Sequence, residues 1–163
     1  MAIDVFKLSA SSLKSYTVPA KSVAESIKEL VDSSFVAAVD VEIDLSSDKF
    51  VIINPEYFAI FLRQTFALIC QKTFLHVKIT ENEETLVMTF RPEKEISVPM
   101  ENFADTVRTA RNARMEIQLS EKSIVATINF IDLKHYRVYA NDLMSGKRII
   151  MSRINEIFFN PEE

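Results

Sequence analysis

Five stretches of the chain carry apolar residues at every second position, the pattern typical of β-strands with one buried and one solvent-exposed face. They are residues 39–45, 75–79, 86–90, 115–119 and 124–130. A short apolar run, Phe50–Ile53, predicts one more strand. Polar turns at 81–84 and 120–122 join the last four stretches into two hairpins.

In the segments between the strands, apolar residues recur at helical spacing. After Pro19, apolar residues recur on one helical face, at Val23, Ile27, Leu30 and Val31. The longest predicted helix is Asn54–Thr73, with Asn54 as N-cap and Pro55 as first residue. Its polar residues fall on one narrow arc, at Glu56, Arg63, Gln64 and Gln71. We therefore expect this helix to be largely buried.

Two further helices are predicted, over about 100–112 and over Lys147–Phe159. For the second of these a strand is the alternative, because residues 148–151 have β character. Residues 135–139 are a weaker strand signal.

The order of elements predicts an α+β fold, a two-layer sandwich whose mixed, mostly antiparallel sheet is covered on one face by helices. The other face is expected to be wet because of the polar residues that it carries. These residues are Asp40, Glu42, Asp44, His76, Lys78, Glu116 and Gln118. For the three acids of the first strand we favour a solvated face over a metal site.

Composition narrows the function classes. A net charge of −4 and a pI of about 5.3 make a general nucleic-acid-binding face unexpected. The single cysteine, Cys70, excludes an internal disulfide and indicates a reducing compartment. No apolar run approaches the ~20 residues of a membrane span, and residues 1–7 lack a signal-peptide core. We therefore expect a cytoplasmic protein without a membrane association.

Candidate chemistry is sparse. The one glycine, Gly146, leaves the chain almost no means of building a phosphate-cradling loop. The one cysteine and two histidines, Cys70, His76 and His135, do not have the spacing of a metal-ligand cluster. Cys70 is expected to be a core residue rather than a nucleophile. We expect no catalytic residue, no metal and no cofactor.

Four segments in order resemble the catalytic ATP-binding domain of sensor histidine kinases, a member of the Bergerat superfamily that includes gyrase and the MutL mismatch-repair proteins. They are residues 41–45, 52–58, 75–91 and 109–119. The resemblance covers about residues 20–131. It divides the chain into an N-terminal arm (1–18), a histidine-kinase ATPase-like domain (19–131) and a C-terminal extension (132–163).

The residues that bind nucleotide in that family are replaced here. The Mg²⁺-ligating Asn of the long helix corresponds to Leu68, and Gln64 is an amide displaced by one helical turn. Leucine offers no oxygen to a hard cation. Pro92 stands in place of the adenine-reading Asp, with Glu93 beside it. The resemblance therefore implies a pseudo-ATPase.

Two glycine-rich elements of the family are also missing. About seven residues, 93–99, replace the Gly-rich lid, and Asn112–Ala113 replaces a Gly-Gly pair. We expect side chains such as Phe66, Leu68 and Ile69 to fill the nucleotide pocket.

The C-terminal extension combines basic, aromatic and apolar residues. It is expected to pack on its own domain, with a homodimer interface as the alternative. Its candidate interface residues are Tyr136, Arg137, Tyr139, Arg148, Arg153 and Phe158.

Three functional hypotheses follow. The first is a non-catalytic histidine-kinase-type domain that acts as an interaction or adaptor module for a protein partner in bacterial signalling. The alternative is an ATP-binding protein with divergent motifs, and the second alternative is an unrelated α+β ligand-binding module. Neither His76 nor His135 opens an amphipathic helical hairpin, so autophosphorylation is not expected.

Overall fold

The computed structural model describes residues 14–33, 39–46, 48–69, 73–94, 103–119, 122–131 and 140–159. Within these ranges the elements are β1 (Tyr16–Pro19), α1 (Ala20–Ser33), β2 (Val39–Ile43), β3 (Phe50–Ile53), α2 (Pro55–Ile69), β4 (Leu75–Glu81), β5 (Thr85–Pro92), α3 (Ala104–Asn112), β6 (Glu116–Leu119), β7 (Ile124–Asn129) and α4 (Ala140–Phe159).

The main sheet has five strands in the order β2-β4-β5-β7-β6. β2 runs parallel to β4, and every other neighbouring pair is antiparallel. Alternate residues of the central strands, such as Leu75, Ile79, Met88 and Phe90, are fully buried. The sheet is therefore mixed and mostly antiparallel, as predicted, and one face forms the core.

A separate two-stranded sheet joins β1 to β3 in antiparallel register, with Tyr16 opposite Ile53. Val18 of β1 is fully buried. Residues 16–18 were predicted to belong to the N-terminal arm, but they lie in a strand that packs into the core. The pattern did not reveal β1 because four residues next to a Ser-rich stretch give too short an alternation.

Helices cover the buried face of the main sheet. α2 packs against α3 and α4, and its Phe61 ring meets Phe90 of β5 edge to face at 5.6 Å. Both of these side chains are fully buried, as are Val23, Ile27 and Leu30 on the predicted face of α1. This arrangement is the predicted two-layer sandwich.

α4 settles the choice between helix and strand for residues 147–159 in favour of a helix, which begins earlier than predicted, at Ala140. It packs on α1, α2 and β1, with Ile150 and Ile154 fully buried. The C-terminal extension therefore docks on its own domain through α4. Cys70 and the weaker strand signal at residues 135–139 lie outside the described residues.

Candidate functional site

The candidate nucleotide site of the resemblance is organised by α2. Asn54 caps the helix, since the Tyr57 N–H donates to Asn54 Oδ1 at 3.1 Å, as predicted for an N-cap. Pro55 is the first helical residue. The opening of the helix thus follows directly from the Asn-Pro pair.

Two positions on α2, Leu68 and Gln64, are the ones that the resemblance relates to metal binding. Leu68 is half-buried and packs against the core, and it carries no ligand atom. Gln64, one turn earlier, was predicted to lie on the solvent arc, but it is half-buried. Its Oε1 is shielded from solvent and has no hydrogen-bond partner among the described residues. The neighbouring Thr65 Oγ1 is also buried without a partner among the described residues, and each unpaired buried oxygen carries a free-energy cost.

The base of the β4–β5 hairpin holds the other two candidate positions. Pro92 is the last residue of β5. The Glu93 N–H donates to the Phe74 carbonyl at 2.7 Å, and the Glu93 side chain is exposed. Residues 92–94 thus continue the strand pairing, and residues 95–99 of the segment predicted to replace the Gly-rich lid lie outside the described residues.

The end of α2 and the hairpin base lie next to each other. The Thr73 N–H donates to the Ile69 carbonyl at 3.1 Å, and the Lys94 N–H donates to Thr73 Oγ1 at 3.2 Å. The fold therefore brings the region of Leu68 close to the region of Glu93, as the resemblance implies. Phe66, expected to help fill the pocket, lies 6.1 Å from Phe158 of α4 between ring centroids.

The position of the family's Gly-Gly pair is a helix end. The Met115 N–H donates to the Ala110 carbonyl at 2.8 Å, and the Arg114 N–H donates to the Arg111 carbonyl at 3.0 Å. These two bonds form a Schellman motif. Its left-handed residue, with φ of 72°, is Arg114. The non-glycine residues at 112–114 thus terminate α3 and turn the chain into β6.

Three of these positions offer little to a magnesium-bound nucleotide. Leu68 and Pro92 supply no oxygen ligand or donor, and Glu93 points its carboxylate to solvent. Among the described residues, no group of three or more His, Cys, Asp or Glu side chains could hold a metal ion.

The candidate interface residues of the extension differ in their exposure and in their contacts. Arg148 is exposed, whereas Phe158 is half-buried against Phe66. Arg153 is bound within the molecule, with Nε 3.7 Å from Glu56 Oε2 and Nη1 3.1 Å from Glu156 Oε2. Tyr136, Arg137 and Tyr139 lie outside the described residues. Arg148 therefore remains accessible, while Arg153 and Phe158 help to hold α4 in place.

A cleft of about 280 Å³ lies between β1 and α4 and is lined by Tyr16, Arg148, Ile149, Ser152 and Arg153. Lys14 adds a cation 4.9 Å from the centroid of the Tyr16 ring. Sequence reasoning missed Tyr16 and Lys14, because only the pairing of β1 with β3 places them beside the C-terminal helix.

Glu56 is a partly buried acid in the first turn of α2, with a side chain 12% exposed. Burial raises its pKa above the usual value, the Glu156 carboxylate raises it further, and Arg153 lowers it. The ion pair with Arg153 therefore does not fully offset the loss of hydration.

The raised pKa of Glu56 predicts a pH-dependent effect of Glu56→Gln. The native state holds the Glu56 proton more tightly than the unfolded state, so this contribution to stability is present at acid pH. It is lost as pH rises through the native pKa. Relative to wild type, the variant should gain stability as pH rises from below the ordinary glutamate pKa toward neutrality, measured by urea unfolding.

The matched control is Glu25→Gln, which changes an exposed glutamate of α1. Equal pH trends for the two variants would contradict the assignment to Glu56.

Among the described residues, no helix combines the length and the apolar character that a membrane crossing requires.

No protein-family model and no curated protein sequence matches the chain. Its fold is similar to solved structures of histidine kinases. One is the cytoplasmic segment of histidine kinase QseC, at 13% identity and a TM-score of 0.50, over 80% of this chain and 88% of that one. Another is histidine kinase AdeS of Acinetobacter baumannii, at 15% identity and a TM-score of 0.52, over 78% and 71% of the two chains.

At these identities the likeness shows the fold alone, and that fold is of the histidine-kinase ATPase type. The predicted fold class is confirmed. The second alternative, an unrelated α+β ligand-binding module, gave no reason to expect a fold similar to that of histidine kinases.

Proposed function

We propose that this chain is a non-catalytic domain of the histidine-kinase ATPase type that acts through contact with a protein partner in bacterial signalling. In this role it presents a surface to the partner and does not turn over nucleotide. The fold supplies the rigid frame.

The main observation in support of the proposal is the position of Leu68 and the packing of its side chain. It occupies the position of the metal-ligating Asn in the resemblance, yet its side chain packs against the core and offers no oxygen. Gly146 adds to this argument, since the one glycine of the chain is buried at the packing of α4 on β1 and α1. It is therefore not available to a phosphate-binding loop.

The contact surface that fits this function best is the cleft between β1 and α4. It combines the half-buried Tyr16 ring, the exposed Arg148 and the half-buried Ile149. Tyr and Arg are the side chains most enriched where binding energy concentrates in protein interfaces. Both walls of the cleft belong to elements outside the segments that carried the resemblance.

One observation favours the runner-up, a nucleotide-binding protein with divergent motifs. The shielded Oε1 of Gln64 has no partner among the described residues, and a bound group could satisfy it. Gln64 is thus the residue through which such binding would act.

The test is thermal and urea unfolding in the presence of Mg-ATP, Mg-ADP and ATP with EDTA. A ligand at one hundred times its dissociation constant stabilises the native state by about 2.7 kcal/mol. We expect no saturable stabilisation by any of the three. A saturable gain that disappears in Gln64→Leu would overturn the proposal in favour of the runner-up.

A further inference from the structure

The polar face of the main sheet carries a second group of charged side chains, on the side away from the helices. A cleft of about 350 Å³ on this face is lined by Asp40, Glu42, His76, Val77, Lys78, Thr89 and Arg91. It shares no lining residue with the cleft between β1 and α4.

Strand register places four hydrogen-bonding side chains of this cleft in a rectangle. His76 is paired with Arg91, and Lys78 is paired with Thr89, across β4 and β5. Directly opposite Cβ atoms in an antiparallel pair lie about 5 Å apart, and alternate residues along a strand lie about 7 Å apart. One small group near the centre can therefore be reached from all four corners.

The carboxylates near these corners lie on one side only, since the strand register sets Asp40 beside His76 and Glu42 beside Lys78, whereas Arg91 is one strand further from β2. His76 Nδ1 lies 3.2 Å from Asp40 Oδ2, an interaction that leaves Nε2 for another partner. Lys78 and Arg91 are exposed, and neither forms an ion pair within the described part of the chain. The charge of Arg91 is therefore the one that the two carboxylates offset least.

We propose that this rectangle binds the oxyanion of a small ligand, a phosphate or carboxylate group. Arg91 supplies paired N–H donors in the geometry that such groups prefer, Lys78 supplies a point charge, and Thr89 supplies a hydroxyl. The carboxylates of Asp40 and Glu42 on β2 line the opposite side of the cleft. They weaken the attraction of the cleft for any anion and most strongly disfavour a ligand with a second negative group.

The test follows the His76 imidazole signal by NMR during titration with inorganic phosphate, and separately with acetate, at constant ionic strength. The chain has two histidines, so the spectrum of His135→Gln identifies the His76 signal. We expect a saturable shift. Saturation by phosphate alone assigns a phosphate group, and saturation by acetate alone assigns a carboxylate group.

Three variants sharpen this experiment. Arg91→Gln should weaken binding at least tenfold, because hydrogen bonds to charged groups are lost. Glu42→Gln should strengthen it about twofold, because a nearby negative charge is removed. Arg111→Gln, which changes an exposed arginine of α3, should have no effect. A shift that does not saturate with either anion, or equal affinities for the Arg91 and Arg111 variants, would overturn the proposal.

Discussion

Gly146→Leu is expected to lower the free energy of unfolding by about 2–3 kcal/mol, because it forces a side chain into a filled contact. A Cβ atom at this position would lie 3.1 Å from Val18 Cβ and 3.2 Å from Pro19 Cδ. It would also lie 3.1 Å from Ser22 Oγ. These neighbours belong to β1 and to the start of α1, so the larger side chain must push α4 away from both. Urea unfolding measures the loss.

The matched control for this prediction is Asn155→Leu, which adds the same side chain to an exposed position of the same helix. It should change stability by less than about 0.5 kcal/mol. If the Gly146 variant proves as stable as the Asn155 variant, α4 is not held against β1 at this point.

Leu62→Ala is expected to cost about 2–5 kcal/mol, the range for removing a fully buried leucine and leaving a cavity. Leu62 is fully buried on α2. Leu68→Ala makes the same chemical change on the same helix, but at a half-buried position. It should cost only about 1 kcal/mol, because less surface is removed from contact.

The comparison of these two leucines also bears on the nucleotide pocket. A cost for Leu68→Ala as large as that for Leu62→Ala would mean that Leu68 is enclosed as tightly as Leu62. The small cost that we expect means that the Leu68 side chain remains partly accessible. Equal slopes of unfolding against urea concentration would show that both values report the same transition.

Much of the architecture could be predicted because it depends on the pattern of apolar and polar residues within each segment. The strands of the main sheet alternate in sequence, and α2 begins at an Asn-Pro pair whose capping is purely local. β1 could not be predicted, since what stabilises it is contact between distant segments. Gly146 is an example. Glycine is unfavourable in a helix interior, but here it allows β1 and α1 to approach α4 closely.

The candidate sites were predictable only in part, for the same reason. The sequence grouped Arg148 with Arg153 as basic residues of one segment. It could not show that Arg153 is bound to Glu56 of another helix. His76 and Arg91 likewise lie far apart along the chain until strand register makes them neighbours.

The packing of α4 on β1 has a kinetic consequence. These two elements lie near opposite ends of the sequence, and the buried side chains Val18, Ile150 and Ile154 depend on their meeting. Closing so long a loop carries an entropic cost before any contact is gained, which slows folding. During synthesis, part of the apolar surface of the earlier elements stays exposed to solvent until α4 has left the ribosome. The stage at which this protein most needs protection from aggregation is therefore the interval before its C-terminal helix arrives.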